Sequence, residues 1–168
     1  MAELNFPKFN IKNRLVNNSI QIFDEVRKGY FKLTPEEWVR QHVINYLAHY
    51  KNYPMGLMQV EKLVRYNNLN TRADLIVNNR ELEPIILVEC KAPNVKVGKD
   101  AFDQIAKYNF SLKAKYLYVT NGLAHYCCAV NYENGKMKFL KDVPEKIKYY
   151  KIENSIFMSR VFVLEEQI

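Results

Sequence analysis

Residues 72–91 read Arg72-Ala73-Asp74-Leu75-Ile76-Val77, then a polar break over 78–83, then Pro84-Ile85-Ile86-Leu87-Val88-Glu89-Cys90-Lys91. Two apolar, β-branched runs flank a turn-like segment, which is the pattern of a hairpin. The charges in it are misplaced for core strands. Asp74 lies inside the first run, and Glu89 and Lys91 close the second. A carboxylate in a strand that is otherwise core-like must be paired, bound to metal or functional, because burying it alone is costly.

Strand alternation puts Leu87, Glu89 and Lys91 on one face and Val88 and Cys90 on the other. Pairing of the two strands can bring Asp74 and Glu89 within the span of one hard cation. Two carboxylates, a backbone carbonyl such as that of Cys90, and waters make an oxygen-rich site suited to Mg²⁺ or Mn²⁺. Lys91 would then hold a phosphate oxygen or the attacking water. The chemistry is metal-assisted phosphodiester hydrolysis, in which the metal acidifies water and stabilises charge on the phosphate. Gln104 and Tyr108 lie four apart on the next predicted helix and share a face. From there they can support the site by holding a water, a phosphate or Lys91.

Working outward, Thr34-Pro35-Glu36-Glu37 predicts a helix start, with Thr34 as N-cap, Pro35 at the first helical position and Glu37 completing a capping box. Trp38, Val39, Val43, Tyr46, Leu47 and Tyr50 recur at helical spacing, so the helix ends near Tyr50, before Asn52-Tyr53-Pro54. Residues 58–66 predict a strand with Glu61 inside it, and 67–71 a turn. Before the helix, 19–24 and 30–33 predict an N-terminal hairpin, and 1–18 is mixed and polar. After the opening stretch, Pro93 breaks the strand. A helix follows over 99–113, with Ala101, Ile105, Tyr108 and Leu112 as its apolar stripe. A strand over 115–120 ends at Asn121-Gly122. Another strand covers 124–131, and Asn134-Gly135 turns into 136–140. Residues 141–151 are lysine-rich, a short helix or loop with Val143, Ile147 and Tyr150 as anchors, and 155–164 is apolar and β-capable.

The order helix, strand, strand, strand, helix, strand over 34–120 is an α/β pattern with a mixed sheet. One domain over 1–168 is expected: an N-terminal hairpin extension (1–33), a core (34–120), and C-terminal strands with a basic segment (121–168). The length of 168 residues suits a single sizeable core. No run approaches the roughly 18 apolar residues of a membrane span, and 1–12 has no apolar signal-like segment. Cys90, Cys127 and Cys128 show neither disulfide nor metal-site spacing. Adjacent Cys127 and Cys128 point to opposite faces of a strand and read as packing residues, which fits a reducing, cytoplasmic setting. The formal charge of +7 favours a polyanionic partner, nucleic acid before anionic membrane, against the alternative of ordinary surface lysine.

These residues resemble a known family. Asp74, Glu89-x-Lys91 and Gln104-x-x-x-Tyr108 look like the PD-(D/E)XK nuclease superfamily, in its branch with a helical Gln-x-x-x-Tyr motif. Five segments resemble, more closely, the type I restriction enzyme R-protein N-terminal domain family: 33–41 (Leu-Thr-Pro-Glu-Glu-Trp-Val-Arg-Gln), Arg72-Ala73-Asp74, Val88-Glu89-Cys90-Lys91-Ala92-Pro93, Phe102-Asp103-Gln104-Ile105-Ala106 and Val119-Thr120-Asn121-Gly122. The resemblance covers about 24–140. It implies a restriction-endonuclease-like αβββαβ core, a divalent-metal site at Asp74 and Glu89, cleavage of DNA in a restriction or defence setting, and a separate motor or specificity subunit as partner. A double-strand nuclease often works as a homodimer, but no segment identifies an interface.

Two departures stand out. The superfamily often carries a further acid on its first core helix. Here Glu36 and Glu37 sit in the capping turn, and Gln41 lies further along, so Glu61 on the first strand is preferred. The R protein also carries a motor, whereas no Gly-x-x-x-x-Gly-Lys-Ser/Thr loop occurs here, so ATP-driven translocation is not expected from this chain.

Other residues stay open. Glu89-x-Lys91 alone matches a surface ion pair. Arg72 is a phosphate contact or a cap on the turn. Arg40 is a helix-surface ion pair or a nucleic-acid contact, and Lys96 is a nucleic-acid contact. The lysines at 136, 138, 141, 146, 148 and 151 track a nucleic-acid backbone or form a solvated face. His42 and His49, seven apart, lack a third ligand, and His125 reads as structural. A catalytically silent nucleic-acid-binding module of the same fold, and an RNA-directed nuclease, are the alternative functions.

Overall fold

The structure is a computed structural model and describes residues 1–66 and 69–146. The expectations for 147–168 and for the Tyr108 side chain lie outside the described residues.

The chain opens with a small antiparallel sheet of three strands, β1 (Asn13–Val16), β2 (Ser19–Asp24) and β3 (Gly29–Lys32). The sequence reading expected only β2 and β3. Asn17 and Asn18, both at positive φ (46° and 61°), close the β1–β2 turn. Asparagine tolerates that region better than most residues, and two such residues suit a two-residue hairpin. Helix α1 (Pro35–Asn45) follows, with the Thr34 hydroxyl accepting the Glu37 N–H at 3.1 Å. Only this half of the capping box forms, because the Glu37 carboxylate turns toward arginines instead. The helix widens into a π-type turn over Tyr46–Tyr50, where Lys51 N–H donates to the Tyr46 carbonyl.

The main sheet has six strands in the order β4 (Met58–Tyr66), β5 (Leu69–Asn78), β6 (Pro84–Cys90), β7 (Tyr116–Thr120), β8 (His125–Val130) and β9 (Met137–Leu140). All neighbours are antiparallel except β6 and β7, which need a crossover. Helix α2 (Lys99–Leu112) supplies it. The αβββαβ core expected from the sequence is present.

Alternation along the strands builds two apolar layers. Leu75, Val77, Ile86, Val88 and Cys127 pack with Val39 and Val43 of α1 and Leu47 of the π-type turn. Ile76, Leu87, Leu117 and Cys128 pack with Ala101 and Ile105 of α2. Cys127 and Cys128 thus face opposite layers, as the sequence implied. Among the described residues, no helix is long and apolar enough to cross a membrane.

Strands β4 and β5 exchange faces partway along. Met58 and Val60 lie with the α1 layer, and so do Leu75 and Val77, whereas Val64 and Ala73 lie with the α2 layer. The change falls at Glu61, which has φ +51° in mid-strand, where the β4–β5 ladder lacks a rung between Val60↔Leu75 and Lys62↔Ala73. A left-handed non-glycine residue there breaks the period-two rule from which the sequence assigned faces.

The loops after β6 and β7 are tied together. Asn121 Nδ2 donates to the Val95 carbonyl at 2.8 Å, and Lys91 N–H donates to the Thr120 carbonyl at 2.8 Å. Gly122 has φ +84°, and a Cβ there would lie 2.7 Å from Leu4 Cδ2. Gly122→Ala is therefore expected to cost about 1–2 kcal/mol, mostly as backbone strain. Urea unfolding checks this, and the losses from Gly122→Ala and Leu4→Ala should be less than additive, because the second removes the clash.

Candidate metal and nucleic-acid site

The β5–β6 ladder runs from Asn78↔Pro84 up to Leu75↔Val88 and has no rung between Asp74 and Glu89. Instead Asp74 Oδ2 accepts the Cys90 N–H at 2.7 Å. The two strands part here, so side chains rather than backbone fill the gap. Lys91 Nζ donates to Glu89 Oε1 at 2.7 Å and to Gln104 Oε1 of α2 at 3.0 Å. The structure therefore brings Asp74, Glu89, Lys91 and Gln104 together at one end of the sheet.

The other wall is the first turn of α1. Arg40 donates to Asp74 Oδ1 at 2.9 Å and to Glu37 Oε2 at 2.5 Å, and lies 3.4 Å from Glu36. Gln41 Nε2 holds Glu37 Oε1 at 2.9 Å. Arg27, from the β2–β3 turn, reaches the same Glu37 oxygen at 2.5 Å and Glu61 Oε2 at 3.2 Å. Sequence reasoning missed Arg27, since nothing local ties it to a residue ten positions on. The one available signal was Asp24, an acid heading a turn.

One expectation needs correction. Arg40 is only 4% exposed, so it is neither a surface ion pair nor a nucleic-acid contact. Its helix face buries charge among carboxylates, which spacing alone reads as a polar surface. Glu61 is turned toward Arg27 and, at 3.9 Å, Arg72. Glu36 lies in the field of Asp74 and Lys91, and Glu61 Oε1 lies 3.6 Å from Arg40, which holds Asp74. Arg72 and Lys96 are exposed.

Charge in the site is unbalanced. Among the described residues, the ion-pair partners of Asp24, Glu36, Glu37, Glu61, Asp74 and Glu89 are Arg27, Arg40, Lys91 and the rim residue Arg72. Burial, then the nearby Asp74 carboxylate, pushes Glu89 up to about 7 despite its pairing with Lys91. Burial opposes the Lys91 charge, yet the Glu89 hydrogen bond and the surrounding carboxylates raise its pKa overall. These carboxylates favour the ammonium form of Lys91. Burial opposes the Arg40 charge too, and Asp74 and Glu37 more than restore it. The Arg40 Nε–H is buried without a partner among the described residues.

The Glu89 shift has a sign. A carboxyl whose folded pKa lies above its ordinary 4.5 keeps its proton in the folded state, so it favours folding below 4.5 and costs stability as pH climbs through about 7. In metal-free protein, the melting temperature of Glu89→Gln relative to the parent should therefore rise between about pH 5 and 8. A pH-independent difference would contradict this.

Hard oxygen donors with an excess of negative charge fit a divalent cation. Among the described residues, no group of three or more His, Cys, Asp or Glu side chains is arranged to hold a metal, so any such ion would rely on Asp74, Glu89 and backbone or water oxygens. His42 is buried against Trp38 and Phe9, with Nδ1 2.8 Å from the Trp38 carbonyl. His125 ties Thr120 Oγ1, at 2.8 Å, to the Asn5 carbonyl.

Residues 35–144 match the family described as the type I restriction enzyme R protein N terminus. None of the curated proteins matches the chain. Among solved structures, a fragment described as an HsdR subunit of a type I restriction enzyme from Vibrio vulnificus YJ016 is similar, with 24% identity and a TM-score of 0.49. The match covers 67% of this chain and 24% of that one, so this chain spans about a quarter of that protein's length.

Proposed function

The chain belongs to the family of type I restriction enzyme R protein N-terminal domains, and from that premise we propose that it is a metal-dependent nuclease domain hydrolysing DNA in a restriction system. The observation that carries this reading is the ammonium of Lys91, fixed between Glu89 and Gln104 beside Asp74 where the strands part. Asp74, Glu89 and the Cys90 carbonyl would hold Mg²⁺ or Mn²⁺, which supplies acidified water and charge withdrawal from the phosphate. Lys91 binds the phosphate oxygen on which negative charge grows. Gln104 holds the Lys91 side chain in place, and Arg40 with the Cys90 N–H fixes the Asp74 carboxylate. Exposed Arg72 and Lys96 contact the flanking backbone. A motor or specificity subunit would come from other chains.

The test is incubation of supercoiled plasmid with the protein and Mg²⁺ or Mn²⁺. Nicked or linear product is expected, lost with chelator and lost in Asp74→Asn. Cleavage that persists in Asp74→Asn would overturn the assignment, and matched RNA and DNA substrates decide the sugar. One observation favours a second reading, a silent DNA-binding module: both Asp74 oxygens already accept hydrogen bonds, from Arg40 and from Cys90. Salt-sensitive DNA binding without cleavage under either metal would select it.

A further inference from the structure

We infer that Arg27 is a positioning residue of this site, acting on Asp74 through Glu37 and Arg40; the inference rests on the nuclease reading above. The small N-terminal sheet lies before residue 35, where the family match begins, so its contribution to the site is additional to the family motifs. Its β2–β3 turn is built around Asp24, which is fully buried. Asp24 accepts the Val26 N–H at 2.7 Å, the Arg27 N–H at 2.9 Å and Arg27 Nε at 2.6 Å. The guanidinium also lies 3.5 Å from the centre of the Phe31 ring. Backbone, base of the fork and ring face are all fixed, which aims the two terminal nitrogens at Glu37 and Glu61.

Those two carboxylates are also within reach of Arg40. Glu37 bridges both arginines, and Glu61 Oε1 lies 3.6 Å from Arg40 Nη1. With the Arg27 charge gone, Glu37 and Glu61 are left to compete for Arg40, whose other arm holds Asp74 at 2.9 Å. Arg40 is drawn off Asp74, and the carboxylate loses its fixed orientation. Arg27 thus keeps Arg40 on Asp74 by satisfying the acids that would otherwise claim it. It need not touch nucleic acid to affect cleavage.

The experiment measures plasmid cleavage by the full chain carrying Arg27→Gln, together with the Nε–H resonance of Arg40 by ¹⁵N NMR. We expect kcat to fall about 10–100-fold, as for loss of about an ångström of alignment, with KM within about twofold and the Arg40 resonance shifted. Adding Glu61→Gln removes one competitor and should recover part of the kcat, which mere anchoring of the N-terminal sheet would not do. A folded Arg27→Gln with unchanged kcat, or one whose KM rises at constant kcat, would overturn the inference. Should Arg27→Gln fail to fold, Arg27→Lys keeps a charge without the fork, and kcat is expected to fall at least about threefold; parent-level kcat would overturn the inference. If the parent protein itself does not cleave, the nuclease reading has failed. The Arg40 resonance then still decides whether Arg27 controls the relay, an unmoved signal in Arg27→Gln counting against it.

Discussion

Lys91→Ala is expected to slow DNA cleavage by about 10²–10³-fold, the usual loss on removing one preorganised charge from a reacting oxyanion. Lys91 follows the last residue of β6 and belongs to neither apolar layer, so the fold should survive. Its ammonium is held by a carboxylate on one side and an amide oxygen on the other, so little reorganisation is needed when charge develops nearby. Lys91→Arg keeps the charge but cannot occupy the same two-point cradle, and intermediate activity is expected. Single-turnover rates with Mn²⁺ and circular dichroism check both claims. A Lys91→Ala rate within about threefold of the parent would remove Lys91 from the chemistry.

Arg40→Met is expected to be the most damaging single change to stability, costing about 3–5 kcal/mol. The methionine would fill the space, but Glu37, itself buried, would lose one of its two guanidiniums, and Asp74 would keep only the Cys90 N–H. An unpaired buried carboxylate costs more than the pair contributes, so the penalty comes from what is left behind. Asp74 is the carboxylate left without a cation, so adding Asp74→Asn should restore part of the lost stability. Urea unfolding of the single and double variants is the measurement, and additive losses would contradict the argument.

Much of the fold was legible because its signals are local. Thr34 and Pro35 mark the start of α1, and apolar runs bounded by turn residues mark β5 through β9. Asp74, Glu89 and Lys91 were legible as charges out of keeping with their apolar surroundings, and Gln104 by its four-residue spacing from Tyr108. What the sequence hid is non-local. Strand β1 carries few apolar residues, and only its Asn17-Asn18 turn announces it. The face exchange at Glu61 follows from one backbone angle, which no periodicity encodes. Arg27 drew no reading, and Arg40 read as a helix-surface ion pair or nucleic-acid contact, because the Glu37 that holds Arg27 and the Asp74 that holds Arg40 come from other elements. Glu36 was passed over in favour of Glu61 for sitting in a capping turn, although Arg40, one turn on, links it to Asp74.

The most direct test is calorimetric titration of Mn²⁺ into the parent protein, Asp74→Asn and Glu89→Gln. The account predicts Mn²⁺ binding in the parent that weakens at least about tenfold in each variant, as loss of a carboxylate ligand should produce. Equal Mn²⁺ affinity in all three proteins would contradict a metal site at the parting of β5 and β6.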